Sequence, residues 1–166
     1  MDLKGKVHKF GDDVNTDYII SGRHKFRTGD MNELAKYVME DLDPDFYNKV
    51  TPGDFIVGGR NFGCGSSREQ APLAIIHAHI GAVIAKSFAR IFYRNCINTG
   101  LPVIECDTDQ IDAGDELEVN LQAGILHNKT KGIDLPIAPL PDVMLKILSD
   151  GGLVEHFKEN GTFKFD

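Results

Sequence analysis

Short apolar runs flanked by turn residues alternate with helical periodicity through the middle of this chain, and that alternation restricts its fold more than any other feature. Strands are predicted over Gly5–Phe10, Asp54–Gly58, Gly81–Lys86, Leu101–Glu105 and Asp115–Leu121, with a hairpin partner at Ile125–Asn128 after Gly124. Helices are predicted over Asn32–Asp41, after Ser67, over Phe88–Asn98, and over Pro141–Ser149 leading into Leu153–Asn160. In the second of these, Ala71, Ala74, Ile75 and Ala78 recur at one-face spacing. The third is expected to take Ser87 as its cap, to end at Gly100, and to turn Phe88, Ile91 and Phe92 inward. This order of elements predicts an α/β fold with a mixed β-sheet and flanking helices. Residues 1–166 show no repeat or low-complexity linker, and Pro136–Pro141 is too brief to separate domains, so a single domain is expected.

The formal charge of -7 and the lack of a basic stripe exclude a nucleic-acid or anionic-membrane surface. No apolar run approaches the roughly 18 residues a membrane span needs, and the opening Met-Asp-Leu-Lys-Gly-Lys has no signal-peptide core, so a cytoplasmic protein is expected. Cys64, Cys96 and Cys106 form no C-x-x-C pair, and the histidines stand apart from metal-ligand spacings. His77 and His79, two apart on a helix, project in different directions. A complete metal or iron–sulfur site within this chain is therefore not expected. Cys64 between two glycines is read as packing rather than as a reactive thiol.

The stretch Asn61-Phe-Gly-Cys-Gly-Ser-Ser-Arg-Glu69 puts backbone freedom and hydrogen-bonding groups just ahead of an apolar helical pattern. Two readings fit. Ser66-x-x-Glu69 and Ser67-x-x-Gln70 both match a capping box, in which a hydroxyl satisfies an orphan helix N–H. Alternatively the glycines, the helix dipole and Arg68 form an anion site that polarises the Ser66 hydroxyl. Pro72 belongs in a first helical turn and pushes the serines toward a turn before the helix.

A second polar stretch runs from Gly11 to Asp30. Asp12, Asp13 and Asn15 read as turn formers, whereas Asp17, beside the apolar Tyr18-Ile19-Ile20, is expected near the interior with a partner. Arg23, His24, Lys25 and Arg27 then cluster, as a solvated loop or as an anion-binding one. Arg90 and Arg94, one turn apart, share a helix face with either a solvated or a partner-facing role.

Three ordered stretches, N-F-G-C-G-S-S-R-E-x-A-P at 61–72, A-K-S-F-A-R-I-F-Y-R-N-x-I-N-x-G at 85–100 and G-D-D-x-x-T-D at 11–17, resemble the small subunits of the isopropylmalate isomerase (3-isopropylmalate dehydratase) and homoaconitase family. The similarity covers nearly the whole chain. It implies the fold of the swivelling C-terminal domain of aconitase. It further implies a hydro-lyase in which a separate large subunit carries a [4Fe–4S] cluster and this chain binds no cofactor itself. Carried over by motif, Ser66 is the base, Ser67 and Arg68 bind a small carboxylic acid, and Asp17 supports the site. The loop Arg23, His24, Lys25, Phe26, Arg27 and Thr28 touches the variable part of the substrate, with Arg27 on a second carboxylate. That loop departs from the family's commoner apolar pattern, which leaves open isopropylmalate, homocitrate-like acids, citramalate or dimethylmalate. The competing readings are a non-catalytic carboxylate-binding module and a purely structural subunit.

Overall fold

The computed structural model describes residues 2–25 and 29–162, residue 25 by its backbone alone. Among these residues seven strands, β1 (Asp2–Lys9), β2 (Phe55–Val57), β3 (Ala82–Ala85), β4 (Val103–Glu105), β5 (Glu116–Asn120), β6 (Ile125–Asn128) and β7 (Ile133–Pro136), lie in the order β4-β3-β2-β1-β5-β6-β7. Strands β1 to β4 are parallel, whereas β5 pairs antiparallel with β1 and continues into the β5-β6-β7 meander. The mixed sheet is as predicted. The added strand, β7, is short and ends in proline, which suits only an edge and weakens its signature.

The middle strands read as unbroken apolar runs because both their faces are buried. Phe55, Val57, Ala82, Ile84 and Ile104 meet Leu117, Val119 and Leu126 in one core. Their alternates Ile56, Val83, Ala85 and Val103 join a second core beneath the helices. In β5, by contrast, Leu117 and Val119 are buried while Glu116 and Asn120 face out. The sheet curls: beyond β7, the Ala138 N–H donates to the Glu105 carbonyl of β4 over 2.9 Å, tying one edge to the other.

Among the described residues, eight α-helices flank it: α1 (Thr16–Ile19), α2 (Gly22–Lys25), α3 (Met31–Ala35), α4 (Phe46–Lys49), α5 (Gln70–His77), α6 (Arg90–Thr99), α7 (Asp142–Ser149) and α8 (Leu153–Asn160). On α5 and just past its end, Ala71, Ala74, Ile75 and Ala78 are buried as their spacing required. The predicted helix over Asn32–Asp41 stops at Ala35. Met39 takes φ +59 and its N–H donates to the Ile19 carbonyl, a tertiary bond that overrides helical propensity. The third predicted helix, now α6, starts at Arg90 after Ala89 rather than at a Ser87 cap, because the Ser87 Oγ instead accepts the Asn61 N–H at 2.8 Å. Phe92 is buried on α6, but Ile91 is 47% exposed, contrary to expectation.

Candidate active site

The loops after β1, β2 and β3 leave the sheet together at the carboxyl ends of its parallel strands, where ligands of parallel sheets commonly bind. They carry the three motif stretches. Backbone hydrogen bonds lash the first two together: Gly59 N–H to Gly11 O at 3.0 Å, Asp13 to Arg60 at 2.9 Å, Gly63 to Val14 at 2.7 Å and Thr16 to Cys64 at 2.8 Å. The third grips from the other side, with Phe62 N–H donating to Ser87 O at 3.0 Å and Ala89 N–H to Phe62 O at 2.9 Å. Asp12 and Asp13 are more than turn formers. Asp12 Oδ1 accepts the Arg60 N–H at 2.7 Å, and Asp13 Oδ1 accepts from Asn61 Nδ2 at 3.2 Å.

Gly63 sits at φ +84, and a Cβ there would lie 2.1 Å from the Phe92 ring, so only glycine lets the loop pass over α6. Beyond it, Thr16, 2% exposed, donates its hydroxyl to the Ser66 carbonyl at 2.8 Å. This bond fixes the Ser66 backbone, while the Ser66 and Ser67 side chains are exposed and neither hydroxyl is engaged by another described residue. The capping-box expectation fails here. Helix α5 begins at Gln70, its cap residue Glu69 makes no side-chain capping bond, and Pro72 occupies the first turn. The serines stand ahead of the helix, where the dipole is already weakening, and Arg68 follows directly in the chain.

Arg68 is largely buried, and its Nη2 donates to Asp17 Oδ1 at 2.8 Å. Its Nη1 is buried with no hydrogen-bond partner, and a guanidinium nitrogen in that condition carries an unmet demand for an acceptor. Asp17 is not interior as expected: its side chain is 60% exposed, on a short helix capped by Asn15 Oδ1, which accepts from the Asp17 and Tyr18 N–H groups. The arginine, not apolar surroundings, holds it.

Thr16, Ser66, Ser67 and Arg68 open on a cavity of about 1110 Å³, whose remaining walls come from the loops around Gly63 and Phe88 and from α6, α7 and α8. Arg90 and Arg94 line it. The sequence marked their common face but not its junction with the serines, and it passed over Thr16 altogether. The threonine's place in the T-D pair that opens α1 was its only signal.

The second basic stretch is placed differently. Arg23 Nη2 donates to Glu40 Oε1 at 2.8 Å and to Asp41 Oδ1 at 3.0 Å, and His24 bonds Glu40 while stacking on Tyr37. Burial pushes the Glu40 carboxyl up, but the bonds from Arg23 and His24 outweigh it and hold it below its ordinary value. Neither Arg23 nor His24 lines the cavity. Phe26, Arg27, Thr28 and the Lys25 side chain lie outside the described residues.

Burial, with Asp13 adding to it, pushes the Cys64 thiol up, and burial likewise raises Cys96 and takes Cys106 to about 12. These are thiols held protonated, the opposite of what a nucleophile or metal ligand requires. Among the described residues, no group of three or more His, Cys, Asp or Glu is placed to hold a metal ion, and no helix is long and apolar enough to cross a membrane.

Residues 16–109 match the model of the aconitase C-terminal domain. The chain is 60% identical to the 3-isopropylmalate dehydratase small subunit 2 of Archaeoglobus fulgidus, over 99% of each chain. It is 55% identical to the methanogen homoaconitase small subunit of Methanothermobacter thermautotrophicus, over 93% of this chain and 90% of that one. The crystal structure of a 3-isopropylmalate dehydratase from Methanocaldococcus jannaschii superposes with a TM-score of 0.93 at 49% identity, covering 97% of this chain and 96% of that one. The chain thus belongs to the aconitase C-terminal domain family, within the small-subunit group of the aconitase-superfamily hydro-lyases.

Proposed function

We propose that this chain is the small subunit of a cytoplasmic dehydratase that interconverts malate-type 2-hydroxy acids, with a large subunit that carries a [4Fe–4S] cluster. The observation that carries the proposal is an exposed, unengaged Ser66 hydroxyl beside a guanidinium pinned by Asp17. On this reading Ser66 Oγ takes the proton from the carbon alpha to a carboxylate. The C–H electron pair becomes the new double bond, and the hydroxyl on the neighbouring carbon departs. Rehydration runs the same transfer backwards. The cluster, held by the partner, supplies Lewis acidity for that hydroxyl.

A serine holds its proton too tightly to be a base unaided. Arg68 stabilises both the alkoxide and the carboxylate drawn against it, and closure of the large subunit removes the water that would screen the charge. Asp17 sets the guanidinium's orientation, and Thr16 sets the backbone from which Ser66 projects. Ser67 is assigned to the same carboxylate as Arg68. Arg27 is assigned to a second carboxylate, and the remainder of the 23–28 loop to substrate choice. The dehydratase and homoaconitase names of the relatives support an acid of the isopropylmalate or homocitrate kind. Isopropylmalate, and with it leucine biosynthesis, is the first candidate.

The test is an activity panel on the chain assembled anaerobically with its large subunit. Ser66→Ala is expected to lower kcat by about 10²- to 10⁴-fold, the usual weight of general-base catalysis. Full turnover in that variant would eliminate Ser66 as the base. Arg27→Leu is expected to raise KM for the natural acid, and an unchanged kcat/KM would remove its assignment. Dicarboxylate binding by the chain without any activity of the complex would favour the non-catalytic module.

A further inference from the structure

We infer that the cavity is a composite groove, and that its α6 face seats an acidic, aliphatic-bearing segment of the large subunit, paired to Arg90 and Arg94. The inference rests on the heteromeric reading above. Pockets of roughly 300–1,000 Å³ enclose drug-sized ligands, whereas this cavity measures about 1110 Å³. A malate-type acid is smaller than such ligands, so one drawn against Ser66 and Arg68 leaves most of the volume to another occupant.

The lining states the chemistry of that occupant. Most described lysines and arginines in this acidic chain are paired with a carboxylate, Lys86 with Asp109 and Lys131 with Asp112 among them. Arg90 and Arg94 are exposed and have no ion pair with any described residue. Between them in sequence Ile91 is 47% exposed, and Met144 and Leu153 from α7 and α8 line the same cavity. Two unpaired guanidinium groups beside aliphatic surface match a peptide segment with carboxylates next to aliphatic side chains. A free small acid, even one with an aliphatic branch, fills only part of this wall. Arginine is also prominent among residues that carry binding energy at protein interfaces.

The geometry singles out the large subunit over other proteins. Any chain that presents a substrate to Ser66 has to enter this cavity, and α6 forms part of its wall. A second copy of the chain would bring a like net charge of -7 to the same place.

The experiment measures the dissociation constant of this chain with the cluster-loaded large subunit, anaerobically, at several salt concentrations. Arg90→Gln with Arg94→Gln is expected to weaken association at least tenfold and to flatten its salt dependence. Arg90→Glu with Arg94→Glu should weaken it about a hundredfold, as like charge replaces attraction. Ile91→Asp should act in the same direction, and circular-dichroism melts of all three variants confirm that they fold. Unchanged affinity in the folded arginine variants overturns the inference. So does a rise in KM for the acid at unchanged affinity, which would make the arginines substrate ligands. Self-association of the wild-type chain that the arginine variants abolish overturns it as well, by naming a second copy as the occupant. Ser66→Ala reports separately on the functional reading: it should bind the large subunit normally yet lose turnover. If it turns over fully while the arginine variants lose affinity, the mechanism fails and the groove stands. If the wild-type chains do not associate, both fail.

Discussion

Gly63 has little room for change. Alanine there combines a left-handed torsion with a Cβ driven into Phe92, and strain of this kind costs about 1–3 kcal/mol per residue before any clash is relieved. Gly63→Ala is expected to lower the thermal midpoint by roughly 6 °C or more, at the usual 2–4 °C per kcal/mol for a chain of this size, as calorimetry would read. Thr16→Val removes a hydroxyl at nearly constant volume and leaves the Ser66 carbonyl without its donor. The expected loss is about 1–3 kcal/mol in urea unfolding, together with lower turnover of the assembled enzyme, and Thr16→Ser should restore both. The residues proposed to do chemistry were the most legible in the sequence, because Ser66, Ser67 and Arg68 are adjacent in the chain and share one motif. Thr16 was not legible: its role is a hydrogen bond to a residue fifty positions away, and no local pattern encodes a partner at that distance.

At the scale of elements, the joint between α6 and α8 is built from glycine. Gly100 ends α6 at φ +90, where a Cβ would lie 2.6 Å from the Gly151 carbonyl, and a Cβ on Gly152 would lie 2.7 Å from the Asn98 carbonyl. Gly152→Ala is expected to lift α8 from α6, seen as faster amide exchange across residues 153–160 with little change in β2 and β3. An even loss of protection over the whole chain would mean that this joint has no local role. The strands were readable because β2, β3 and β4 are buried on both faces and so appear as solid apolar runs. Helix starts were less so. Ser67 and Ser87 both look like caps, yet one is left free for the cavity and the other is spent on Asn61. Helices α1, α2 and α4, of four residues each, are too short for a 3.6-residue period to register.

Across the whole molecule, charge pairs set the response to acid. Hydrogen bonds from Lys86 and Lys131 hold the Asp109 and Asp112 carboxyls below their ordinary values, as Arg23 and His24 hold Glu40. The unfolded chain therefore binds more protons in acid. Stability from these groups is complete above the ordinary carboxylate range and is lost as pH falls through it. Urea midpoints should hold steady from pH 7 to about 5 and fall below about 4; a midpoint that rises on acidification would reverse the assignment. The raised thiols of Cys96 and Cys106 predict slow alkylation by iodoacetamide at neutral pH in the native chain and rapid alkylation in urea. The position of β1 has a consequence of its own. Flanked by β2 on one side and β5 on the other, it is the seam between a parallel half that carries all three site loops and an antiparallel half that carries none. A chain lacking residues 2–9 would be left with two sheet fragments and an 11–17 loop held only by its bonds to the neighbouring 59–64 loop, so loss of that strand should silence the site from a distance rather than trim a dispensable tail.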